Sequence, residues 1–294
     1  VLGVAASADD VCDIISYTPF EIADQTFTGT TTTDVSLTTG VLTANGGAVF
    51  NEGSVDVDFR VESNGNANAI FVDGGGAAVG IGVVPEAWAT YNPVLQVGSA
   101  STAVYQTDDL NILSNAYFIG GAWKFIANDT ATRYQSAGGE HVWYNTASGS
   151  ADAALTWVQQ MKINTAGAVT MPLQPAFLAR PASSQVNIAI NATTTIVFGT
   201  EIFDQNADFA SNTFTAPVTG KYQLNVQLMI QEMDKGTDFL AFSLITSNRS
   251  YTVYWDNDTM AADSPNGHGV NIVVLTDMDA SDTAYVNVAI PNSG

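Results

Sequence analysis

Between Ser54 and Glu62 polar and apolar residues alternate without a break, with Val55, Val57, Phe59 and Val61 set between Ser54, Asp56, Asp58, Arg60 and Glu62. A period of two places all four apolar side chains on one face of an extended strand. Asn64-Gly65 follows at once, a tight-turn pair because both residues tolerate positive φ. The alternation returns at Val79, Ile81 and Val83, and at Leu155, Trp157, Met161 and Ile163 with Gln159 as its one break. It runs longest over Tyr222, Leu224, Val226, Leu228 and Ile230, and recurs at Val286, Val288 and Ile290. Spacing of three and four residues is nowhere sustained over three turns. The fold class is therefore all-β, with short helices expected only within residues 8–16 and 151–161. The 32 Thr and 20 Ser fit that class, since β-branched and small polar side chains suit pleated, half-exposed surfaces.

Punctuation divides the chain into four segments. Residues 1–48 hold a polar Thr-rich tract with no evident core and read as an N-terminal attachment or connecting segment. Residues 49–93 carry short strands broken by Gly and Asn, with few large apolar groups. So little apolar surface does not offset chain entropy in one copy. That predicts an intertwined β shaft formed by three copies; the alternative is an ordinary hairpin appended to a larger sheet. Residues 94–171 are rich in aromatics (Tyr105, Tyr117, Phe118, Trp123, Phe125, Tyr134, Trp143, Tyr144, Trp157) separated by Gly pairs, and read as a middle β domain. Its rings are either simply core or, where exposed, platforms for sugars. Pro172, Pro175 and Pro181 mark a boundary, and residues 172–294 form a C-terminal domain.

Composition narrows the partners. The 294 residues carry 29 acidic and 8 basic side chains, a net charge of −21, and only 13% of the chain is charged while 46% is hydrophobic. Singly scattered Lys and Arg offer no footprint for nucleic acid or an anionic membrane. No apolar run is long enough to cross a bilayer as a helix. Val1 to Ala6 has no basic flank of a signal peptide, and residue 1 reads as a truncation or processing point. One cysteine, Cys12, excludes a disulfide framework and reads as a small buried filler or a lone thiol. Two histidines, His141 and His268, are too few for most His-based metal sites.

Phe214-Thr215-Ala216-Pro217-Val218-Thr219-Gly220-Lys221-Tyr222, continuing into an alternating strand, resembles the signature of the complement-type globular head, a jelly roll related to the tumour necrosis factor fold. Phe177, Phe198, Phe203-Asp204 and Asp282-Thr283-Ala284-Tyr285-Val286 support the match on both sides, so that it covers roughly residues 174 to 294. The resemblance implies a C-terminal jelly-roll sandwich in a homotrimer, with Phe214, Pro217, Gly220 and Tyr222 as its core or trimer motif. Pro217 and Gly220 bracket a corner between strands, and Phe214 and Tyr222 supply rings for the core. The family's closing strand, Phe-x-Gly-x-Leu, has no counterpart before Asn292-Ser293-Gly294. Either the chain is cut short or that strand is absent, and an unpaired slot would then be exposed. Asp58-Phe59-Arg60-Val61-Glu62-Ser63, Phe71-Val72-Asp73, Val79-Gly80-Ile81-Gly82 and Met161-Lys162-Ile163-Asn164 look like segments of bacteriophage tail-fibre and other appendage proteins.

These resemblances imply a structural virion appendage: a trimer attached to other virion proteins by its N-terminal segment, exposed on the virion surface or extracellularly, whose distal knob meets a host-surface glycan or protein. The alternatives are a head fibre, a capsid-decorating protein or a bacterial surface filament in which the jelly roll serves assembly alone. The loops spanning Asp256 to Asp263 and Pro265 to Gly269 supply the expected receptor contacts Asp256, Asn257, Asp258, Asn266 and His268. No cofactor is expected. Calcium is the one ion left open, at Asp277, Asp279 and Asp282, where clustered oxygen ligands suit a hard cation, against the alternative of solvated loop acids. Enzymatic activity is not expected, since no nucleophile elbow accompanies either histidine. A glycan depolymerase remains the third reading, and would draw its two carboxylates from Asp129, Glu140 and Asp152. Four Asn-x-Ser/Thr matches, at Asn128, Asn191, Asn248 and Asn257, are about what chance provides in so Asn- and Thr-rich a chain.

Overall fold

The computed structural model describes residues 56–105, 108–257 and 266–292; the attachment segment 1–48, the 8–16 helix, Cys12 and Asp258 lie outside them. The described chain is all-β, with no α-helix, and hence no helix long and apolar enough to cross a membrane. Among the described residues twelve strands precede the boundary at Pro172: β1 (Phe59–Ser63), β2 (Asn66–Val72), β3 (Ala78–Ile81), β4 (Val94–Val97), β5 (Ala100–Tyr105), β6 (Asp109–Ser114), β7 (Ala116–Ile119), β8 (Ala122–Phe125), β9 (Asp129–Ala137), β10 (Glu140–Gly149), β11 (Val158–Ile163) and β12 (Val169–Thr170). All but the β7–β8 hairpin join one sheet in the order β1-β2-β3-β4-β5-β6-β9-β10-β11-β12. Segments 49–93 and 94–171 thus share one sheet, linked by the parallel pair β3–β4. Within one chain β1 to β3 form an antiparallel meander at one end of this sheet.

The two faces of this sheet differ. On the inner face the β7–β8 hairpin packs over Ala78, Val94, Leu113 and Ala131, burying Ala116 and Phe125, with Trp88, Tyr91, Trp123 and Trp157 closing the cluster. Asn115 turns the chain from β6 into this hairpin at φ 58°, its amide donating to the Ala127 and Thr130 carbonyls (3.0 Å each) and accepting from Ala127 N–H (2.7 Å). The outer face carries the sequence alternation. Directly paired residues share a face, and the register runs Phe59–Val72–Val79–Leu95 across β1 to β4, then Ile112–Tyr134–Trp143–Met161 across β6, β9, β10 and β11. A neighbouring row runs Val61–Ile70–Ile81–Val97. None of these positions is charged. Phe59, Val61, Ile70, Val72, Ile81, Leu95, Val97 and Ile112 are each between 36% and 50% exposed.

Several local expectations change. Residues 151–157 are turn and bridge and 158–163 are strand, so no helix forms there. The Leu155–Ile163 alternation does not share one face. The register slips between Trp143↔Met161 and Tyr144↔Gln159, leaving Gln160 as a bulge. One inserted residue inverts the pleat. Leu155 and Trp157 therefore join the inner cluster, while Met161 pairs beside Trp143 on the outer face. Asn64-Gly65 does turn β1 into β2, but neither residue takes positive φ.

Ten further strands follow the boundary among the described residues: β13 (Phe177–Arg180), β14 (Thr193–Thr195), β15 (Thr200–Asp204), β16 (Phe209–Ala210), β17 (Thr213–Thr215), β18 (Gly220–Ile230), β19 (Phe239–Thr246), β20 (Ser250–Asp256), β21 (His268–Met278) and β22 (Thr283–Ala289). One sheet has the order β16-β17-β22-β19-β20 with β14 on β22, and it faces the β18–β21 pair across a single core. Leu240, Phe242 and Leu244 from β19 and Ala284, Val286 and Val288 from β22 meet Leu224 of β18 and Val270, Ile272 and Met278 of β21. Phe242 is fully buried. This is a β-sandwich. Among the described residues β13 and β15 pair only with each other.

Candidate functional site

The expected contact residues of the C-terminal domain divide. Asp256 ends β20 and His268 opens β21, so strand pairing fixes both at one end of the sandwich, with exposed Asn266 just before His268. The His268 and Trp255 rings lie 4.9 Å apart at 55°, and Tyr254 packs edge-on to Phe239 at 5.4 Å. Tyr254 and Met229 are 67% and 68% exposed. Asn257 corrects the expectation. It is 1% exposed, donates from Nδ2 to Thr237 Oγ1 (2.6 Å) and from its backbone N–H to the Asp238 carbonyl (3.3 Å), and acts as an internal pin for the β18–β19 turn. Sequence reading missed the aromatic members, Tyr254 and Trp255. Two adjacent aromatics on an alternating strand cannot both face the core, which was the available signal.

The proposed calcium ligands are not gathered. Asp277 Oδ1 accepts from Arg249 Nη2 at 2.6 Å, and Asp282 Oδ2 accepts the Asp279 backbone N–H at 2.8 Å, closing the β21–β22 turn. Among the described residues the carboxylates that converge are Asp56, Asp58 and Asp73, whose oxygens lie within 4.8 Å of one another. Two of them are already used: Asp58 accepts Gly74 N–H, and Asp73 accepts Gly75 and Gly76 N–H, at 3.0–3.1 Å. These bonds account for the cluster as turn chemistry.

The core motif falls on corner and core. Phe214 is 2% exposed and tilts against Tyr222 at 5.4 Å, while Tyr222 Oη donates to the Val218 carbonyl at 2.6 Å across the Pro217–Gly220 corner. The three carboxylates of the depolymerase reading are held apart or engaged singly. Glu140 sits at the turn of the β9–β10 hairpin opposite Ala137, and Asp129 at its far end opposite Gly149. Their separation is roughly 27 Å at about 3.4 Å per residue, far beyond the reach of a two-carboxylate site. Glu140 pairs with Lys162 at 2.7 Å, and Asp152 accepts from Tyr117 Oη at 2.6 Å.

The inner face of the ten-stranded sheet holds the most perturbed groups. Burial, then the Asp152 carboxylate, raises the Glu86 pKa. Burial and the Asp152 hydrogen bond push the Tyr117 phenol up to about 12. Arg133, 8% exposed, donates Nε–H to Asn111 Oδ1 (2.7 Å) and stacks over Trp123 and Tyr144 at 4.8 and 5.2 Å. Burial lowers its pKa against the charges of its neighbours. On the outer face Tyr134 stacks on His141 at 17°, with Tyr134 Oη and His141 Nδ1 2.6 Å apart, and Trp143 leans on Tyr134 at 5.2 Å.

No family model matches the chain, and no curated protein matches it. Among solved structures it is similar to the globular domain of a zebrafish complement 1qA protein, at 18% identity over 41% of this chain and 84% of that one, with a TM-score of 0.30. It is also similar to an exo-β-1,3-galactanase from Phanerochaete chrysosporium solved with galactose, at 12% identity over 81% of this chain and 65% of that one, with a TM-score of 0.16. Both superpositions are too loose to carry an argument. The described residues form an all-β chain whose C-terminal part is a sandwich.

Proposed function

We propose that this chain is a non-enzymatic structural protein of a virion appendage, resembling a phage tail fibre, that works as a homotrimer with the C-terminal sandwich as a jelly-roll knob at a host surface. The observation that carries the reading is the uncharged outer face of the ten-stranded sheet, whose rows of large apolar side chains stay up to half exposed in one copy. A contiguous apolar patch of that kind on a chain of net charge −21 is what self-association covers. Wrapped around a common axis, three such faces make the shaft expected for residues 49–93. The Trp255–His268 end, with Asp256 and Asn266, supports recognition of a glycan or protein, since exposed rings supply contact area at low entropic cost. Three weak sites on one fibre bind through effective concentration.

Light scattering on the native protein is expected to give three times the 30.9 kDa chain mass. A folded single-chain species persisting at low concentration would refute the trimer. Labelled antibody to residues 174–294 is expected at the tip of a particle's tail. Label on the capsid, or on a bacterial filament, would instead favour the assembly-only role.

A further inference from the structure

Arg133 is a buried cation with no anion beside it. Strand register sets it on the inner face of the ten-stranded sheet, in the row Leu113–Arg133–Tyr144–Gln159 across β6, β9, β10 and β11. It is 8% exposed, and its hydrogen bonds run to neutral oxygens, Asn111 Oδ1 at 2.7 Å and the Tyr91 phenol. Among the described residues the ion pairs are Arg60–Glu62, Lys162–Glu140 and Arg249–Asp277, so no carboxylate pairs with it. Asp109 acts on it from behind Asn111, whose Nδ2 donates to Asp109 Oδ1 at 3.1 Å. A buried guanidinium is ordinarily paired, because neutral hydrogen bonds do not return the cost of desolvating a full charge.

The groups around it define the missing partner. The guanidinium lies 4.8 Å from the centre of a Trp123 ring and 5.2 Å from that of Tyr144. Trp157 packs against both at 5.9 and 6.4 Å, and Tyr91 leans on Trp123 at 5.0 Å. All four of these residues are half-buried, so the cluster reaches the surface. The Trp157 indole N–H is buried without an acceptor. The cluster therefore offers rings and donors and lacks an acceptor. An inorganic anion would answer the charge and leave the rings uncovered; a neutral sugar would do the reverse. A peptide carboxylate brings a backbone that needs a sheet edge, whereas β6, β9 and β10 are paired on both sides. A sugar carrying a carboxylate meets both needs. Its ring covers an aromatic face, and its two oxygens take two N–H groups from one guanidinium, a fit that Arg provides and Lys does not. We propose that this inner face binds a carboxylate-bearing sugar of an acidic glycan, with Arg133 as the anion anchor and Trp123, Tyr144 and Trp157 as the platform. The site lies on a different sheet from the Trp255–His268 end and does not depend on the number of copies.

Isothermal titration calorimetry of the whole chain with trigalacturonate, trimannuronate and oligosialate tests it, each beside its methyl ester, which keeps the rings and removes the charge. At least one acid is expected to bind with a Kd of about 1 mM or tighter, and its ester roughly tenfold or more weakly. Arg133→Gln is expected to reduce the affinity for the acid to that for the ester. Arg60→Gln, which removes an exposed cation of the same sheet, is expected to leave it unchanged. Hydroxyl-radical footprinting of the parent keeps the test independent of whether Arg133→Gln folds: the bound acid is expected to shield Trp123 and Tyr144 from oxidation and not Trp255. No binding of all three acids, equal binding of acid and ester, or Trp123 and Tyr144 left unshielded would overturn the proposal. Tetraglutamate or inorganic sulfate binding as tightly as the acid would overturn the sugar as the ligand.

Discussion

Asn115 does more for the middle of the chain than its type suggests. Its side chain ties the β6–β7 corner to two carbonyls and one N–H of Ala127 and Thr130 at the β8–β9 connection, and its backbone sits at positive φ, which Asn tolerates better than most residues. Asn115→Ala is expected to cost about 1–3 kcal/mol, since each of the hydrogen bonds it removes contributes a net of roughly 0.5–1.5 kcal/mol and the positive φ suits Ala poorly, and urea unfolding measures it. Glu86 works the other way. Its folded pKa lies above its unfolded one, so its contribution is fully present below the unfolded pKa and is lost as pH rises through the folded value. Glu86→Gln removes that loss. The variant should be more stable than the parent near neutral pH, with the difference in thermal midpoint closing as pH falls to about 4. Neither residue was legible as special in the sequence, because burial and the Asp152 neighbour arise only when the 82–93 loop and the 150–153 turn fold over the same sheet.

At the scale of elements the alternation was a good guide to strands and an incomplete one to faces. β18 obeys it: Tyr222, Leu224, Val226, Leu228 and Ile230 turn inward and the residues between them are exposed. β1 and β3 cover only part of the alternating runs, since residues 56–58 and 82–83 lie outside them, and in one copy the larger side chains look outward. Ala78 and Gly80 are the buried residues of β3, while Ile81 is exposed. The reason is space. A Cβ on Gly80 would lie 2.2 Å from the Val83 carbonyl oxygen and 2.9 Å from Pro85 Cδ, so the inner side of β3 admits only a glycine where the chain doubles back. Gly80→Ala is expected to destabilise the sheet by about 1–3 kcal/mol, the usual range for overpacking. In the sandwich, Phe242→Ala should cost about 3–5 kcal/mol, and differential scanning calorimetry of both variants compares the two sheets.

For the whole molecule, charge opposes what the apolar faces favour. Each copy carries −21, so bringing copies together accumulates repulsion that mobile ions screen. Self-association through the outer face should therefore tighten as salt rises from about 0.05 to 0.5 M, as sedimentation at fixed protein concentration would register. Replacing Leu95 and Ile112 together by Asp should abolish association at all salt levels while the inner cluster of Ala116 and Phe125 remains folded. Loss of folding in that double variant would place these side chains in the intrachain core instead.

Strand periodicity, turn residues and the Phe214–Tyr222 motif were sufficient to set the all-β class, the β18 strand and the β18 and β22 share of the sandwich core, because a period of two is local and survives any packing. Pairing is not local. Whether residues 49–93 and 94–171 share a sheet, which side of β3 is covered, that a bulge at Gln160 divides one apolar run between two faces, and that Asn257 is internal were all decided by contacts between residues far apart in the chain. Those contacts depend on register and shape, which the order of apolar and polar residues does not encode one strand at a time.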